Sequence, residues 1–393
     1  MESLNFVLFR DLFELYILRY QGKILSGNSG IAKTSVLVAV MNPEYRELIE
    51  KCLGPDEYKV LSAQDGWDIT DAIDNKVFNI VVLSSDILDG ALISVTSSIR
   101  NSEKNKDTII ILVQEHGEFE KLAPEDKSII NHVISAPFSV GTFVEIISQI
   151  RSEEAEKGWK KLNTNQQKLL RVTKNMFGKH FAPGGDSEPI TKEVMKESGS
   201  VIAEATKNGE VWDILDALKA HDNYTFVHAL KVSSFMTLFG VMLGLSKSDL
   251  ETLAQAGLYH DIGKRDTDVD VLNFPGKLEG DKWDAMQAHA MRSEEILRES
   301  MDLPIEIINV AGRHHEKMDG TGYPRGLKGS EIDDLSAIGA IADVYSGLTD
   351  RRSYKPAFST EKTLSIMESM SGTHLEAGFL SHFVKMIRDK NPG

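Results

Sequence analysis

The sequence predicts a multidomain protein in which an α/β domain precedes an all-α helical bundle. The chain of 393 residues is long enough for two or three domains. Its first half contains short apolar runs rich in valine and isoleucine. From about residue 206 to residue 388, by contrast, apolar residues recur at helical spacing without strand-like alternation.

The apolar runs of the first half predict a parallel sheet. Short continuous runs of this kind, separated by segments with helical content, are typical of strands that are buried on both faces. Helices are predicted at 43–54 and 139–152, and the α/β domain is predicted to extend over 34–152. The predicted strands are TSVLVAV (34–40), NIVVL (79–83), TIIILV (108–113) and HVISA (132–136).

This domain resembles the response-regulator receiver fold, which is flavodoxin-like, in the order and length of its elements. SAPF (135–138) also stands where receivers have a Lys-Pro pair. The positions that carry phosphorylation differ from those of receivers and are occupied by Asn42, Pro43, Ser84, Val113 and Ala136. A phosphoryl site needs carboxylates for magnesium and a cation for the phosphate. We expect a degenerate receiver-like domain without a phosphoacceptor, although Asp86 is an alternative acceptor.

The first 33 residues predict an N-terminal amphipathic helix and a linker. The opening is apolar but is interrupted by Arg10, Asp11, Glu14 and Arg19, whereas a membrane span needs about 20 largely uncharged residues. It also lacks the basic start and cleavage site of a secretory signal. We expect a dimer contact here, with a membrane-surface anchor as the alternative, and no transmembrane segment.

Charge and cysteine content exclude some classes of partner. The formal net charge is -15, which argues against a nucleic acid polymer because phosphate backbones need a basic face. A small phosphorylated ligand is still compatible with that charge. Cys52 is the single cysteine, so an intramolecular disulfide is excluded and a reducing, cytoplasmic location is expected.

The second half predicts a helical linker over 153–205 and a helical bundle over 206–388. FAPGGDSEP (181–189) should interrupt the linker, because proline and paired glycines cannot continue a helix. Ser246 before Asp249, and Ser359 before Lys362, mark two helix starts. The apolar spacing of the remaining segments is typical of a bundle.

The predicted bundle collects histidines and aspartates that suit a metal site. A lone histidine on an apolar helix face is usually a core residue, and each of these residues alone is a weak signal. Five imidazoles and two carboxylates together would be costly to bury without metal or mutual pairing, and they suit two first-row transition metals. The pattern also predicts that His260 and Asp261 lie within one helix, with Lys264 on the Asp261 face. The candidate ligands are His228, His260, Asp261, His289, His314, His315 and Asp343.

Residues 206–388 resemble the HD-GYP branch of the HD phosphohydrolase superfamily. The matching motifs are HDIGK (260–264), LNFPGKL (272–278), HHEKMDGTGYPRGLKG (314–329) and ADVYSGLTDRRSYK (342–355). The resemblance implies an HD-type bundle that degrades cyclic di-GMP. It implies a two-metal centre held by the seven candidate ligands, with Asp261 as the bridge. Some relatives hold a third metal through a glutamate where this chain has Tyr224, so two metals are expected.

The resemblance also implies roles around the centre. Asp261 and Lys264 are the expected catalytic residues, and Lys264 should touch the scissile phosphate. Arg352 and Lys355 should hold substrate phosphate, while Tyr323 should stack on a guanine at the pocket mouth. Five residues of the loop should brace or shape it: Glu316, Asp319, Gly320, Gly322 and Pro324.

The resulting hypothesis is a metal-dependent phosphodiesterase of the EC 3.1.4 class that hydrolyses cyclic di-GMP to linear pGpG, GMP or both. Two divalent ions would activate a hydroxide and clamp the phosphodiester. Iron or manganese is expected, with zinc, cobalt or nickel as alternatives. The competing hypotheses are a hydrolase of another cyclic dinucleotide, such as cyclic GMP-AMP, and a catalytically weak metal- and nucleotide-binding signalling protein. A homodimer and a signalling partner of the receiver-like domain are also expected.

Overall fold

The computed structural model describes residues 33–55, 57–63, 66–86, 92–115, 117–181, 187–221, 223–272, 274, 276–300, 303–350 and 358–390. The predictions for the N-terminal helix therefore concern residues outside the described part. The chain divides into two compact units, Met1–Val133 and Ile134–Gly393. The domain boundaries predicted from the sequence stay a prediction.

The N-terminal part contains a five-stranded sheet. Its strands are β1 (Thr34–Ala39), β2 (Tyr58–Ser62), β3 (Ile80–Ser84), β4 (Ile109–Gln114) and β5 (His132–Ser135). They lie in the order β2-β1-β3-β4-β5, and β1 pairs in parallel with β2 and β3, as β3 does with β4. The helices between them are α1 (Pro43–Cys52), α2 (Gly66–Asn75), α3 (Leu92–Asn101), α4 (Glu118–Lys121) and α5 (Pro124–Lys127). This strand order is that of flavodoxin-like folds, which confirms the predicted α/β class.

Strand β2 was missed by the sequence analysis. It has the sequence YKVLS, and only Tyr58 in it is buried. It lies at the sheet edge, whereas β3 is buried along its whole length. An edge strand has one neighbour and a partly solvated surface, so its sequence lacks the continuous apolar run that identified the other strands.

Ser84 lies at the end of β3, where receivers have their phosphoacceptor. Its side chain is buried, and its hydroxyl accepts a hydrogen bond of 3.0 Å from the backbone N–H of Met41. Met41 follows β1, so the hydroxyl ties the ends of two neighbouring strands together. In this structure the Ser84 side chain supports the sheet backbone.

From Val140 onward the described residues form helices around one core, which confirms the predicted all-α class. The helices are α6 (Val140–Gly158), α7 (Thr164–His180), α8 (Lys192–Lys207), α9 (Val211–Ala217), α10 (Tyr224–Met242), α11 (Lys247–Tyr259), α12 (Val269–Leu272), α13 (Asp281–Ser300), α14 (Ile305–Arg313), α15 (Asp334–Thr349), α16 (Thr360–Ser369) and α17 (Ala377–Lys390).

Helices α7 and α8 occupy the segment that was predicted to be a linker. Leu169 and Leu170 of α7, and Met195 and Ile202 of α8, are buried in the same core as α10 and α11. The two helices therefore belong to the packed body of the C-terminal unit and do not form an exposed connection.

Two predicted helix starts are confirmed. The Ser246 hydroxyl accepts from the backbone N–H of Asp249, whose carboxylate accepts in return from the Ser246 backbone at the start of α11. Ser359 caps α16 through the backbone N–H of Lys362. Both caps satisfy backbone donors that the first helical turn leaves unpaired.

Helix α10 is apolar on all sides. Among the described residues it is the one helix that is long and apolar enough to cross a membrane. However, most of its residues are buried inside the protein, as expected for a core helix. Its burial places His228 of α10 among the interior side chains of the bundle.

Candidate metal centre

All seven predicted ligands lie together in the bundle. His228 lies on α10, His289 on α13 and Asp343 on α15, while the His260–Asp261 and His314–His315 pairs directly follow α11 and α14. Six of the seven form two groups whose donor atoms lie within 4.8 Å of one another. The two groups share Asp261 and are His228, His260 and Asp261, and Asp261, His289, His314 and His315.

The prediction that His260 and Asp261 lie within a helix is wrong. Helix α11 ends at Tyr259, and a 3-10 turn, Ile262–Asp266, follows the pair. Asp261 has φ -102° and ψ 14°, outside the α-helical region. The chain turns at this residue, so the two side chains are arranged by the turn and not by helical spacing.

Gly263 explains how this turn reaches α13. A Cβ atom at Gly263 would lie 2.3 Å from the carbonyl oxygen of His289 and 2.6 Å from the backbone nitrogen of Ser293. The Ser293 hydroxyl also accepts a hydrogen bond of 2.8 Å from the Gly263 backbone N–H. Only glycine permits so close an approach, which brings Asp261 beside His289.

Asp261 is the centre of the cluster. Its Oδ1 lies 3.2 Å from His289 Nε2 and 3.6 Å from His314 Nε2. Its Oδ2 lies 3.2 Å from His260 Nε2 and 3.7 Å from His228 Nε2. The two carboxylate oxygens therefore face different histidine groups, as a bridging carboxylate would.

Asp343 adds a second carboxylate on the side of His228. Its Oδ1 lies 3.0 Å from His228 Nε2, and its Oδ2 lies 3.7 Å from His315 Nδ1. Asp343 thus contacts one histidine of each group. The described residues supply two carboxylates and five imidazoles to a single interior site.

The electrostatics of the site favour metal-binding forms of most ligands. Burial lowers the pKa of His260, His289 and His315, which keeps these imidazoles neutral with a free lone pair. Burial opposes ionisation of Asp261, but His260 and Lys264 hold its pKa well below the usual range. At His228, burial is outweighed by Asp343 and Asp350, which raise its pKa to about 9.

Two buried atoms in the cluster indicate that a metal fits. His260 Nε2 and Asp261 Oδ1 are inaccessible to solvent, and although each lies 3.2 Å from a polar atom of another ligand, neither makes a well-directed hydrogen bond. Buried polar atoms are normally paired, so these two are candidates for coordinate bonds. Imidazole nitrogens combined with carboxylate oxygens suit first-row transition metals, so the residues present fit a metal of this class.

Lys264 lies at the edge of the cluster. Its ammonium group contacts Asp261 Oδ2, three residues earlier. The lysine therefore pairs with the candidate bridging carboxylate. Arg352 and Lys355, the two other predicted phosphate contacts, lie outside the described residues.

The loop after His315 is held by two acidic side chains. Glu316 is buried and accepts from the backbone N–H groups of Arg325 and Leu327 at 2.7 and 2.9 Å. Asp319 accepts from the backbone N–H and the hydroxyl of Thr321. These contacts fix the loop backbone on both sides of Tyr323.

The loop glycines lie where side chains would collide. A Cβ atom at Gly322 would lie 2.4 Å from Lys317 N and 2.6 Å from Glu316 Cα. Gly320 has φ +81°, a left-handed conformation that side chains disfavour. Pro324 follows a cis peptide bond. Together these residues fold the loop tightly against its own start.

An aromatic pair lies beside the cluster. The Tyr323 ring lies 4.7 Å from the His315 ring, centroid to centroid. Trp283 of α13 lies 6.2 Å from Tyr323 at an interplanar angle of 77°, and it is 43% exposed. Sequence reasoning missed Trp283, because one tryptophan in an amphipathic helix carries no signal of a site.

Two further residues contact the cluster and were also missed. Asp350 Oδ2 lies 3.0 Å from His228 Nδ1, and Lys231 contacts the other Asp350 oxygen. Asp350 directly follows α15 and comes seven residues after Asp343, or about two helical turns, so it continues the line of the helix face that carries Asp343. This seven-residue spacing is the feature of the sequence from which Asp350 could have been identified.

Comparisons with known proteins agree with this geometry. Residues 214–378 match the family model described as HD domain. The 3'3'-cGAMP-specific phosphodiesterase 3 of Vibrio cholerae is 39% identical over 157 residues, which are 40% of this chain and 34% of that protein. A cyclic di-GMP phosphodiesterase of Pseudomonas aeruginosa is 32% identical over 170 residues, which are 43% of this chain and 41% of that protein.

The chain thus spans less than half the length of these two curated relatives. Among solved structures, an HDG"Y"P protein from Bdellovibrio bacteriovorus matches 64% of this chain and 74% of its own, at 15% identity and a TM-score of 0.44. That likeness is too low to support a conclusion. The family match, over residues 214–378, includes all seven ligands of the cluster.

Proposed function

We propose that this HD domain hydrolyses a phosphodiester bond of a cyclic dinucleotide, with cyclic di-GMP as the first candidate. The observation that carries the proposal is the pair of donor groups that share Asp261. Two relatives that are similar to parts of this chain are named as phosphodiesterases of cyclic di-GMP and of 3'3'-cGAMP. Their names support the substrate class.

The seven ligands would hold two divalent transition metal ions, iron or manganese first. His228, His260 and Asp343 would hold one ion, His289, His314 and His315 the other, and Asp261 would bridge them. When bound, such a pair lowers the pKa of water and polarises phosphoryl oxygens. Tyr224 stacks on His228 with ring centroids 5.4 Å apart, so an aromatic ring covers this side of the first group.

The reaction adds the elements of water across one P–O3′ bond. Phosphorus gains an oxygen, and the 3′ oxygen leaves carrying a proton. Lys264 would move from Asp261 to a phosphoryl oxygen, where a fixed cation stabilises charge that develops in the transition state. Repeating the step on the second bond would convert the linear pGpG to GMP.

Tyr323 and Trp283 would receive a base. Their rings are nearly perpendicular, so a guanine stacked on one ring would have its edge toward the other. Glu316 holds the loop that carries Tyr323, and Arg352 and Lys355 are proposed as phosphate contacts. The two rings would thus hold the base, and the two cations would hold the phosphate.

A second candidate substrate is 3'3'-cGAMP, and a specific observation favours it. The relative that is 39% identical bears that substrate in its name. The two substrates differ in one base, and an aromatic ring such as that of Tyr323 can stack on guanine and on adenine alike. The rates of hydrolysis of cyclic di-GMP and 3'3'-cGAMP are therefore to be compared directly.

One assay tests the function. The full chain, loaded with Mn²⁺ or Fe²⁺, is incubated separately with cyclic di-GMP, 3'3'-cGAMP and linear pGpG, and the products are resolved by chromatography. We expect hydrolysis of cyclic di-GMP, and Asp261→Ala should abolish it together with bound metal. Retained binding without turnover would instead identify a signalling protein that acts through contacts.

We further propose that the receiver-like domain is degenerate and serves as a partner or dimerisation module in a cytoplasmic signalling protein. Ser84 at the phosphoacceptor position, with its hydroxyl bound to the backbone of Met41, supports this reading. Incubation with acetyl phosphate should leave the intact mass unchanged. A mass gain of one phosphoryl group would overturn the proposal and direct attention to Asp86.

A further inference from the structure

We propose that Asp350, supported by Lys231, is a positioning residue that orients His228 for metal binding. The inference rests on the proposed metal centre, because His228 is assigned there as a ligand. It concerns how this chain holds one of its ligands, which the family match does not assign.

Three of the five histidines are oriented by their own helices. The Nδ1 atom of His260 lies 2.7 Å from Gly257 O, and that of His314 lies 3.0 Å from Ala311 O. His289 Nδ1 makes the same contact with Met286 O. In each case the carbonyl belongs to the residue three positions earlier. Local helical structure is therefore enough to turn Nε2 of these rings toward Asp261.

His228 has a different partner. Its Nδ1 atom lies 3.0 Å from Asp350 Oδ2, although the two residues are 122 positions apart in the chain. Asp350 directly follows the last residue of α15, and its side chain is 3% exposed. The orientation of this ring thus depends on the packing of α15 against α10.

Lys231 completes the arrangement. It lies three residues after His228 on α10, and its ammonium group contacts Asp350 Oδ1 and, at 3.1 Å, Thr349 Oγ1. A buried carboxylate is tolerated when a cation and hydrogen bonds compensate for its lost hydration. Lys231 therefore keeps Asp350 charged and in place beside His228.

The consequence for metal binding follows from the two nitrogens of imidazole. A carboxylate that accepts the Nδ1–H leaves the lone pair on Nε2 and fixes the ring plane. His228 Nε2 then faces Asp343 Oδ1 at 3.0 Å and Asp261 Oδ2 at 3.7 Å. Loss of Asp350 would free this ring to rotate or to protonate the wrong nitrogen, while the three histidines that their own helices orient stay held.

The alternative is that Asp350 only ends α15. Its backbone N–H does donate to Ser346 O, so part of its role is structural. If Asp350 had a purely structural role, its substitution would change the Mn²⁺ affinity of both metal groups or of neither. That change would also not depend on the presence of His228. The proposal predicts instead a loss confined to the group that contains His228.

Mn²⁺ binding to the metal-stripped full chain, measured by isothermal titration calorimetry, tests this prediction. Asp350→Asn, which keeps the side-chain shape, should weaken one of two Mn²⁺ sites by roughly 10- to 100-fold and spare the other. Asp334→Asn is the matched control, because Asp334 lies exposed in the first turn of the same helix. It should bind Mn²⁺ like the unmodified chain.

A double-mutant cycle gives the decisive readout. If Asp350 acts through His228, then Asp350→Asn should have no further effect on Mn²⁺ affinity in a His228→Ala background. Additive losses in the cycle would overturn the proposal, as would wild-type affinity in Asp350→Asn. If the unmodified chain binds no Mn²⁺, the metal centre itself fails. If it binds two ions that Asp350→Asn retains, only the positioning role fails.

Discussion

The Ser152 hydroxyl accepts a hydrogen bond of 3.0 Å from the backbone N–H of Asn223, 71 residues later. Asn223 caps α10 by accepting from the backbone N–H of Phe226, two residues before His228. Helix α6 thus holds the start of the helix that carries a candidate ligand. Glu156, one turn further along α6, contacts His221 Nε2 at 3.1 Å and strengthens the same junction.

Ser152→Ala should loosen this junction. The Asn223 backbone N–H would lose its better partner and keep only His221 Nδ1 at 3.3 Å. We expect a loss of about 1–2 kcal/mol in the free energy of unfolding of the C-terminal unit, measured by urea denaturation. Gln149→Ala, at an exposed position on the same helix, is the control. Equal stability of both variants would mean that the contact does not hold α10.

Removal of metal should lower thermal stability. When the ion leaves, the cost of burying imidazoles and ionised carboxylates is no longer offset by coordinate bonds. In addition, an ion that binds only the folded state stabilises that state by mass action. At a free Mn²⁺ concentration 100-fold above the dissociation constant, the gain is about 2.7 kcal/mol. Thermal unfolding before and after chelation measures it. Asp261→Ala should show no Mn²⁺-dependent shift, and a shift of wild-type size there would contradict the bridge.

Lys264→Met should reduce kcat by roughly 10²- to 10³-fold, the usual effect of losing one fixed transition-state donor. Metal content should stay unchanged, because the substitution removes a cation that competes for Asp261 Oδ2. Steady-state kinetics and metal analysis on the same sample separate the two effects. Lys247→Met, at an exposed position on α11, serves as the control. Unchanged kcat would remove Lys264 from the mechanism.

Trp283→Ala should weaken substrate binding with little effect on kcat. Stacking of a base on an aromatic ring contributes about 1–3 kcal/mol, which corresponds to roughly 5- to 150-fold in KM. Trp283→Phe retains a ring and should retain most of the affinity. Tryptophan fluorescence titrated with cyclic di-GMP in metal-free protein follows binding directly, since Trp283 is partly exposed beside Tyr323. If Trp283→Ala binds cyclic di-GMP with full affinity, the base does not stack on Trp283.

Cys52 should react slowly with thiol reagents in the folded protein. Burial raises the pKa of its thiol to about 11, so at pH 8 only about one thiol in a thousand is ionised. In the unfolded chain the thiol ionises near pH 8.5. Because the raised folded-state pKa favours the protonated form, its stabilising effect is present below pH 8.5 and is lost as the pH rises towards 11. Rapid labelling by Ellman's reagent at pH 8 in the absence of urea would contradict this.

Much of the fold could be predicted because apolar spacing is a local property. The buried strands β1, β3 and β4, and the capped helices α11 and α16, carry their signals within a few residues. Strand β2 was not predicted, because its edge position leaves it half solvated and its sequence therefore lacks a continuous apolar run. The prediction that His260 and Asp261 lie within a helix was wrong, because helical spacing continues in the sequence beyond Tyr259. The chain instead turns there and brings Gly263 against α13.

The sequence by itself determined which donor types the bundle possesses, since imidazoles and carboxylates can be identified without coordinates. Only the tertiary structure decided how they are arranged. It directed the two oxygens of Asp261 to different histidines, and it placed Asp350 and Lys231 behind His228. The physical reason is that the identity of each side chain is given directly by the sequence. The orientation of a ligand depends instead on contacts between helices that lie more than a hundred residues apart in the chain.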